Sequence, residues 1–287
     1  MSIVTNSAAD IPEPDLEDGI GYWETQPASL DGVLGGFGSG SLPRVDALGS
    51  RQFLLNLLPE LSTVPSALRP LETNKPTRNR ALDVGAGIGR VTADVLLHLT
   101  SDVVLLEPVE GFINEALACG EASANLVVSA DENGYKTGWK GISDKSKSVT
   151  FLQGPLQSFD PSQPTESTKL LGRIGFSPTE DQAESGFDVI WCQWCLGHLS
   201  DIDLVAFLKR SRNALGGPKS LIVVKENLCS EHGDEPRTVF DEQDSSLTRS
   251  DKAFKKLFKD AGLSVVREQI QHGLPEGLYP VKMFALR

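Results

Sequence analysis

The sequence predicts an α/β fold, a largely parallel sheet with helices on both faces. Short apolar runs alternate with helical patterns along most of the chain, the order in which parallel sheets are built. The first run, Ala81-Leu-Asp-Val84, leads straight into Gly85-Ala-Gly-Ile-Gly89 and a helical pattern over Val91–Leu99. A strand, a glycine turn and a helix in that order hold nucleotide-like ligands, because main-chain N–H groups can approach the ligand with no Cβ in the way. The 287 residues suit one large core with appendages.

Residues 1–18 are acidic and carry two prolines in Pro12-Glu-Pro-Asp-Leu-Glu-Asp18; they cannot bury enough apolar surface to order and are expected as a disordered tail. Residues 19–75 form a second segment. Tyr22-Trp23 and the glycine-dense Ser29-Leu-Asp-Gly-Val-Leu-Gly-Gly-Phe-Gly38 are costly to leave in water, and Ser50 is placed to N-cap an amphipathic helix ending at Leu58. This segment is expected to lie as a lid over the glycine-turn end of the sheet, with Pro65–Pro76 as a connector. The core, 76–287, takes six further strands: Asp102–Glu107, Val149–Gln153, Phe187–Trp191, Ser220–Lys225, Leu263–Arg267 and Val281–Ala285. Helices fit over Gly111–Cys119, over Ile202–Leu215 before Gly216-Gly217-Pro218, and over Ser250–Ala261 before Gly262. Stretches 120–148 and 161–186 lack apolar periodicity and are expected as surface insertions.

The glycines follow G-x-G-x-G, and Arg90 stands where a dinucleotide fingerprint would have its third glycine, which argues against NAD. Glu107, 24 residues after Asp83, is placed to accept hydrogen bonds from a ribose diol. The formal charge is -12, from 27 Lys+Arg against 39 Asp+Glu, which disfavours nucleic acid or an anionic membrane as partner and suits a basic peptide. No run approaches the roughly 18 apolar residues of a membrane span. The N-terminus has neither a basic n-region nor an apolar h-region, so cytoplasmic or nuclear residence and reduced thiols at Cys119, Cys192, Cys195 and Cys229 are expected. Cys192-x-x-Cys195 has no second pair, and no metal site is expected.

Residues beyond the C-terminal ends of the fourth and fifth strands share the crevice with the glycine turn. They are Gln193-Trp-Cys-Leu-Gly-His198 and Lys225-Glu-Asn227, joined by the acidic stretch Phe240-Asp-Glu-Gln-Asp-Ser-Ser246. Trp194 offers a ring face for a cation, Asn227 an amide that donates and accepts, His198 and Asp244 possible proton acceptors, and Asp241 a negative charge.

Asp83-x-Gly-x-Gly-x-Gly with Glu107 resembles motifs I and II of the class I methyltransferases. From Tyr22 to Arg287 the chain further resembles the protein α-N-terminal methyltransferases. The resemblance is carried by Tyr22-Trp23, Asp31-Gly-Val-Leu-Gly-Gly-Phe-Gly38, Ser50-Arg-x-Phe-Leu54, Leu156-Gln157, Phe187-Asp-Val-Ile-Trp-Cys-Gln-Trp-Cys-Leu-Gly-His-Leu199, Lys225-Glu-Asn227, Asp244-Ser-Ser246 and Leu278-Tyr279. It implies a Rossmann-like fold with a seven-stranded sheet, S-adenosylmethionine as cofactor with S-adenosylhomocysteine as product, and methylation of the free amine of N-termini reading Xaa-Pro-Lys or Xaa-Pro-Arg, ribosomal proteins among them, by a monomeric enzyme. It also implies that Gly85, Gly87 and Arg90 contact the methionine part, Glu107 the ribose, and Leu156 and Gln157 the adenine region, with Gln193 nearby. Trp23, Leu34, Trp194, Asn227, Asp241, Ser246 and Tyr279 would bind the peptide, and Asp244 would act as base with His198 assisting or orienting. Glu107 stands where Asp is common in that family, and its longer carboxylate still reaches a ribose. Methylation of a lysine side chain or a small molecule, and a binding module without turnover, are the alternatives.

Overall fold

A computed structural model describes residues 11–64, 78–126, 138–178, 186–231 and 233–287. The connector at 65–76 and residues 1–10 of the expected tail lie outside the described residues. Eight strands form one mixed sheet: β1 (Arg80–Val84), β2 (Asp102–Glu107), β3 (Ser148–Gln153), β4 (Lys169–Gly175), β5 (Val189–Gln193), β6 (Leu221–Asn227), β9 (Val265–Ile270) and β10 (Val281–Leu286), with β7 (Thr238–Asp241) and β8 (Ser246–Arg249) as a separate hairpin. The order is β4-β3-β2-β1-β5-β6-β10-β9. Strands β3, β2, β1, β5 and β6 run parallel, whereas β4 and β10 pair antiparallel with their neighbours. Chain order reverses between β1 and β5, the switch point at which open sheets of this kind leave a crevice beyond the strand ends.

Strands β1, β2 and β5 are buried on both faces, which is why each reads as a largely apolar run. Leu82 and Val84 point into one apolar layer with Phe207, Leu208, Phe254 and Phe258 of α6 (Asp201–Asn213) and α7 (Asp251–Asp260). Ala81 points into the other, with Phe53 and Leu54 of α3 (Leu42–Leu57) and Ile113 and Ala116 of α5 (Glu110–Ala124). Helices α1 (Leu16–Glu24) and α2 (Leu30–Val33) precede these, and the helix after the glycine turn consists of a π-helical turn, Thr92–Leu96, running into α4 (Leu97–Leu99).

Five expectations need correction. Helix α1 starts at Leu16, inside the stretch read as tail, because Asp15 caps it by accepting from the backbone N–H groups of Glu17 and Asp18. Ser50 is no N-cap: α3 starts at Leu42 with Pro43 in its first turn, and Ser50 is fully buried in mid-helix. The sheet has eight strands rather than seven, because 169–175 pairs with β3. The acidic stretch Phe240–Ser246, read only as lying beyond the fifth strand, is the end and turn of the separate β7/β8 hairpin. Finally, 120–148 is not all surface: α5 continues to Ala124, and Trp139 is buried against Phe151 with ring centroids 5.9 Å apart.

The Trp139 contact gives a stability prediction. Trp139→Ala should destabilise the protein by about 3–5 kcal/mol, the usual cost of truncating a buried aromatic, seen as a lower urea midpoint; an unchanged midpoint would show that this stretch adds nothing to the core.

Candidate active site

Beyond the ends of β1, β2 and β5 lies one cavity enclosing about 980 Å³, part of it open to solvent. Its floor is the glycine turn. Gly85 has φ +61°, and a Cβ there would come within 2.4 Å of the Cys195 Cβ, so the approach of the β1 turn to the β5 loop requires glycine. Glu107 closes one side, accepting from the Gly87 N–H at 2.7 Å and the Val109 N–H at 2.9 Å. Burial raises its pKa to about 7 against those two bonds. Phe112, Leu156 and Leu199 make that side apolar.

The opposite side rests on a buried ionic cluster. Asp46 of α3 is wholly buried; it accepts from Arg90 Nη1 at 2.6 Å and from Gln193 Nε2 at 3.0 Å, and pairs with Lys225 Nζ. Lys225, equally buried, also donates to Ser50 Oγ at 2.9 Å and Gln271 Oε1 at 3.0 Å. Burial alone would raise the Asp46 pKa, but the charges of Arg90 and Lys225 outweigh it and hold the carboxyl below the usual range. Gln193 lines the cavity, yet its amide is taken up by Asp46 and, on the oxygen, by the Trp191 indole N–H at 3.0 Å. It therefore braces the wall instead of offering polar atoms to a ligand. Arg90 reaches Asp46 through Nη1, and its guanidinium carbon is 5.5 Å from the Trp194 ring centroid.

The roof is α1 with the loop after β5. The Trp23 indole N–H donates to His198 Nε2 at 3.0 Å, and the Asp15 N–H donates to Ser245 Oγ at 2.9 Å, so α1 is bonded to both the β5 loop and the hairpin. Trp194 holds φ +55° and Ser245 φ +52°, strained conformations for residues with a Cβ and of the kind that cluster at functional sites. The β5 loop is gripped from behind. Glu226 accepts from the N–H groups of Cys195 and Leu196, both at 3.0 Å. The buried Arg249 donates to the carbonyls of Leu196 and Leu199 at 3.1 and 2.6 Å, and Gln157 Nε2 donates to the His198 carbonyl at 3.0 Å.

Gly85, Gly87, Arg90, Glu107, Leu156, Gln157, Gln193, Trp23, Leu34, Trp194 and His198 all line the cavity. Asp244, Asn227, Asp241, Ser246 and Tyr279 do not line it among the described residues. Asp244 and Ser246 lie behind the His198 loop: the Asp244 carbonyl faces Gly19, and Ser246 approaches Gly197. Asp241 is exposed at the hairpin tip, Asn227 ends β6 opposite Val281, and Tyr279 is 49 % exposed. Three polar atoms are buried with no partner around the loop and hairpin: Trp194 Nε1, His198 Nδ1 and Asp244 Oδ1.

The match to known proteins now decides the family. The family model for AdoMet-dependent proline di-methyltransferases matches residues 12–287. The chain belongs to that family. Alpha N-terminal protein methyltransferase 1 of Schizosaccharomyces pombe is 36% identical over 275 residues, 96% of this chain and 97% of that protein. N-terminal Xaa-Pro-Lys N-methyltransferase 1 of Rattus norvegicus is 33% identical over 266 residues, 93% of this chain and 92% of the relative. Among solved structures, a SAM-dependent methyltransferase of Leishmania major aligns with TM-score 0.64 and 31% identity, covering 94% of this chain and 82% of that one. A Burkholderia thailandensis 1,6-didemethyltoxoflavin-N1-methyltransferase with bound S-adenosylhomocysteine shares the fold alone, at TM-score 0.54 and 16% identity, covering 99% of this chain and 97% of that one. The protein is an AdoMet-dependent methyltransferase with a class I fold.

The cavity suits that cofactor. It joins an apolar side, a carboxylate that can accept from a diol, and a guanidinium above a glycine turn with no side chain in the way.

Asp46 was not singled out in the sequence, where nothing distinguishes it from a surface acid; its partners Arg90 and Lys225 lie 44 and 179 residues away. Asp46→Asn should leave two buried cations without a counter-charge and lower stability by about 3–5 kcal/mol in urea unfolding. Because the folded-state pKa of Asp46 lies below 3.8, its stabilisation is complete above that value and is lost as pH falls through the folded pKa. The variant should lack that acid-side loss; an equal acid response in both proteins would remove Asp46 from this role.

Proposed function

We propose that this methyltransferase transfers methyl groups from S-adenosylmethionine to the free α-amine of proteins whose N-terminus reads Xaa-Pro-Lys or Xaa-Pro-Arg. The observation that carries this reading is that two buried polar groups lack partners, Asp244 Oδ1 of the hairpin, a donor, and the indole N–H of Trp194, which lines the cavity, an acceptor. A chain terminus supplies both complements, an ammonium and a backbone carbonyl. The names of the yeast and rat relatives agree with this acceptor.

The cofactor, when bound, supplies an electrophilic methyl on a sulfonium and leaves as S-adenosylhomocysteine. In this reading Arg90 holds the methionine carboxylate, Glu107 the ribose diol, and Leu156 with Gln157 the adenine side. The peptide amine becomes a nucleophile only after losing its proton. An α-amino group has a pKa of about 7.7–8.0, so a carboxylate close by is base enough. Asp244 takes that proton, and His198 orients the site. One face of Trp194 lies toward Arg90, and the other is assigned to the penultimate proline, a rigid ring with no N–H to leave unpaired. The exposed Asp241 at the hairpin tip meets the third-position Lys or Arg through a charge-assisted bond.

The test is mass spectrometry with fragmentation on a Ser-Pro-Lys peptide incubated with S-adenosylmethionine, beside its N-acetylated form. One to three methyls on the first residue of the free peptide and none on the blocked one are expected; equal gain on both would rule out α-amine chemistry. Asp244→Asn should lower turnover by roughly two to four powers of ten, the reach of a general base, with cofactor affinity nearly unchanged. Full activity in that variant would take Asp244 out of the mechanism.

A further inference from the structure

His198 has two ring nitrogens, and their surroundings differ in a way that fixes where its proton sits. The Trp23 indole N–H points at Nε2 from 3.0 Å. An indole nitrogen can only donate, so Nε2 must present its lone pair. Turning the ring over would set a carbon against the indole and leave its N–H unpaired, so the same contact fixes the ring orientation. The two rings meet edge to face, centroids 6.3 Å apart at 83°, and Trp23 is held on its far side by Phe112, 6.1 Å away at 64°. With Nε2 occupied, a neutral imidazole carries its proton on Nδ1.

Nδ1 is buried, makes no full-strength hydrogen bond, and faces the Gly19 end of α1 and the Ser245 backbone of the hairpin turn. A Cβ on Gly19 would lie 3.1 Å from Nδ1 and 3.5 Å from the Asp244 carbonyl, so α1 comes this close only because Gly19 has no side chain. Burial holds the imidazole pKa below its ordinary value, against the opposing pull of the Asp244 carboxylate and the Ser245 backbone, which keeps the ring neutral at physiological pH. In that form the single in-plane lone pair of the ring, on Nε2, is taken up by Trp23.

We propose that Trp23 is a positioning residue that locks His198 as its Nδ1–H tautomer, making His198 a hydrogen-bond donor toward the hairpin and leaving Asp244 as the single acceptor of the substrate proton. The inference rests on the α-amine reading for its catalytic meaning, while the tautomer itself does not depend on that reading. The proton passes from the ammonium nitrogen to an Asp244 carboxylate oxygen, and the electron pair left on nitrogen forms the bond to the methyl while the pair of the broken sulfur–methyl bond stays on sulfur. His198 neither gains nor loses a proton. The groups facing His198 from the packed elements are Trp23 and Gly19 of α1, Asp244 and Ser245 of the hairpin, and Gln157, which holds the His198 carbonyl.

The tautomer can be read by long-range ¹H–¹⁵N correlation spectroscopy on protein with ¹⁵N-labelled histidine at pH 7.5. The chain has four histidines, and the His198 signals are those missing in His198→Asn. Wild type should show Nδ1 protonated and Nε2 bare. Trp23→Phe, which retains the ring against Phe112, should shift His198 toward the Nε2–H form. Protonated Nε2 in wild type would overturn the proposal without any variant, and so would an unchanged pattern in folded Trp23→Phe.

Turnover supplies a second readout. Asn at 198 retains an N–H near the Nδ1 position and cannot act as a base, so His198→Asn should lower kcat by less than about a hundredfold, as the loss of a positioning group does; a larger loss, the reach of a lost general base, would overturn the proposal. If no methylation of Ser-Pro-Lys is seen at all, the α-amine reading fails while the tautomer measurement still decides whether Trp23 sets the state of His198.

Discussion

The contact between Asp46 and the two cations Arg90 and Lys225 joins parts of the chain that no strand pairing joins. Asp46 belongs to α3, Arg90 to the end of the glycine turn, and Lys225 to β6. A carboxylate wholly out of water is tolerable only with charge and hydrogen bonds on every side, and Asp46 has Arg90, Lys225 and the Gln193 amide. Because the partners come from separate elements, the cluster forms only when the N-terminal helices are seated on the sheet. Seating them completes the cavity wall, so a stability device and a binding surface share the same residues. The ridge beneath Arg90 and Trp194 is fixed before any ligand arrives, the preorganisation that spares a site the cost of ordering itself on binding.

The loop after β5 shows the same economy. Its strained Trp194 is held by Glu226 from β6 and by Arg249 from the hairpin, with Gln157 on the His198 carbonyl. Burial lifts the Glu226 pKa to about 7, against the loop N–H groups it accepts from. The hairpin that carries Asp244 is thus tied to the loop that carries Trp194 and His198 through Arg249, and to α1 through Ser245 and the Asp15 N–H. Hairpin, β5 loop and α1 are therefore bonded to one another at the mouth of the cavity.

How much of this the sequence disclosed follows from range. Strands β1, β2, β5 and β6 are mostly apolar because both faces are covered, and the glycine turn is marked by its own residues, so the crevice could be located from local pattern alone. Strand β4 could not. Lys169-Leu-Leu-Gly-Arg-Ile-Gly175 is exposed or half-buried, and it is held by pairing with β3 and by Arg173 donating to Ser148 Oγ at 2.9 Å, neither of which leaves a periodic trace. The hairpin strands span four residues each, too short for alternation to show. Ser50 resembled a cap because serine before an apolar helical face usually is one; its buried hydroxyl instead accepts from Lys225, 175 residues away. Trp194, His198 and Asp244 could be named from their place beyond the strand ends and Trp23 from the family resemblance, yet their arrangement could not: that Trp23 bonds His198, and that the Asp244 carboxylate is left with an unpaired oxygen, depends on how α1 and the hairpin meet.

The most direct measurement is a crystal structure of the protein with S-adenosylhomocysteine and a Ser-Pro-Lys peptide. The account predicts the peptide nitrogen within hydrogen-bond distance of the Asp244 carboxylate, its proline against the Trp194 ring, and Trp23 still bonded to His198 Nε2. A peptide whose amine lies away from Asp244, or is bonded to a His198 nitrogen freed from Trp23, would contradict it.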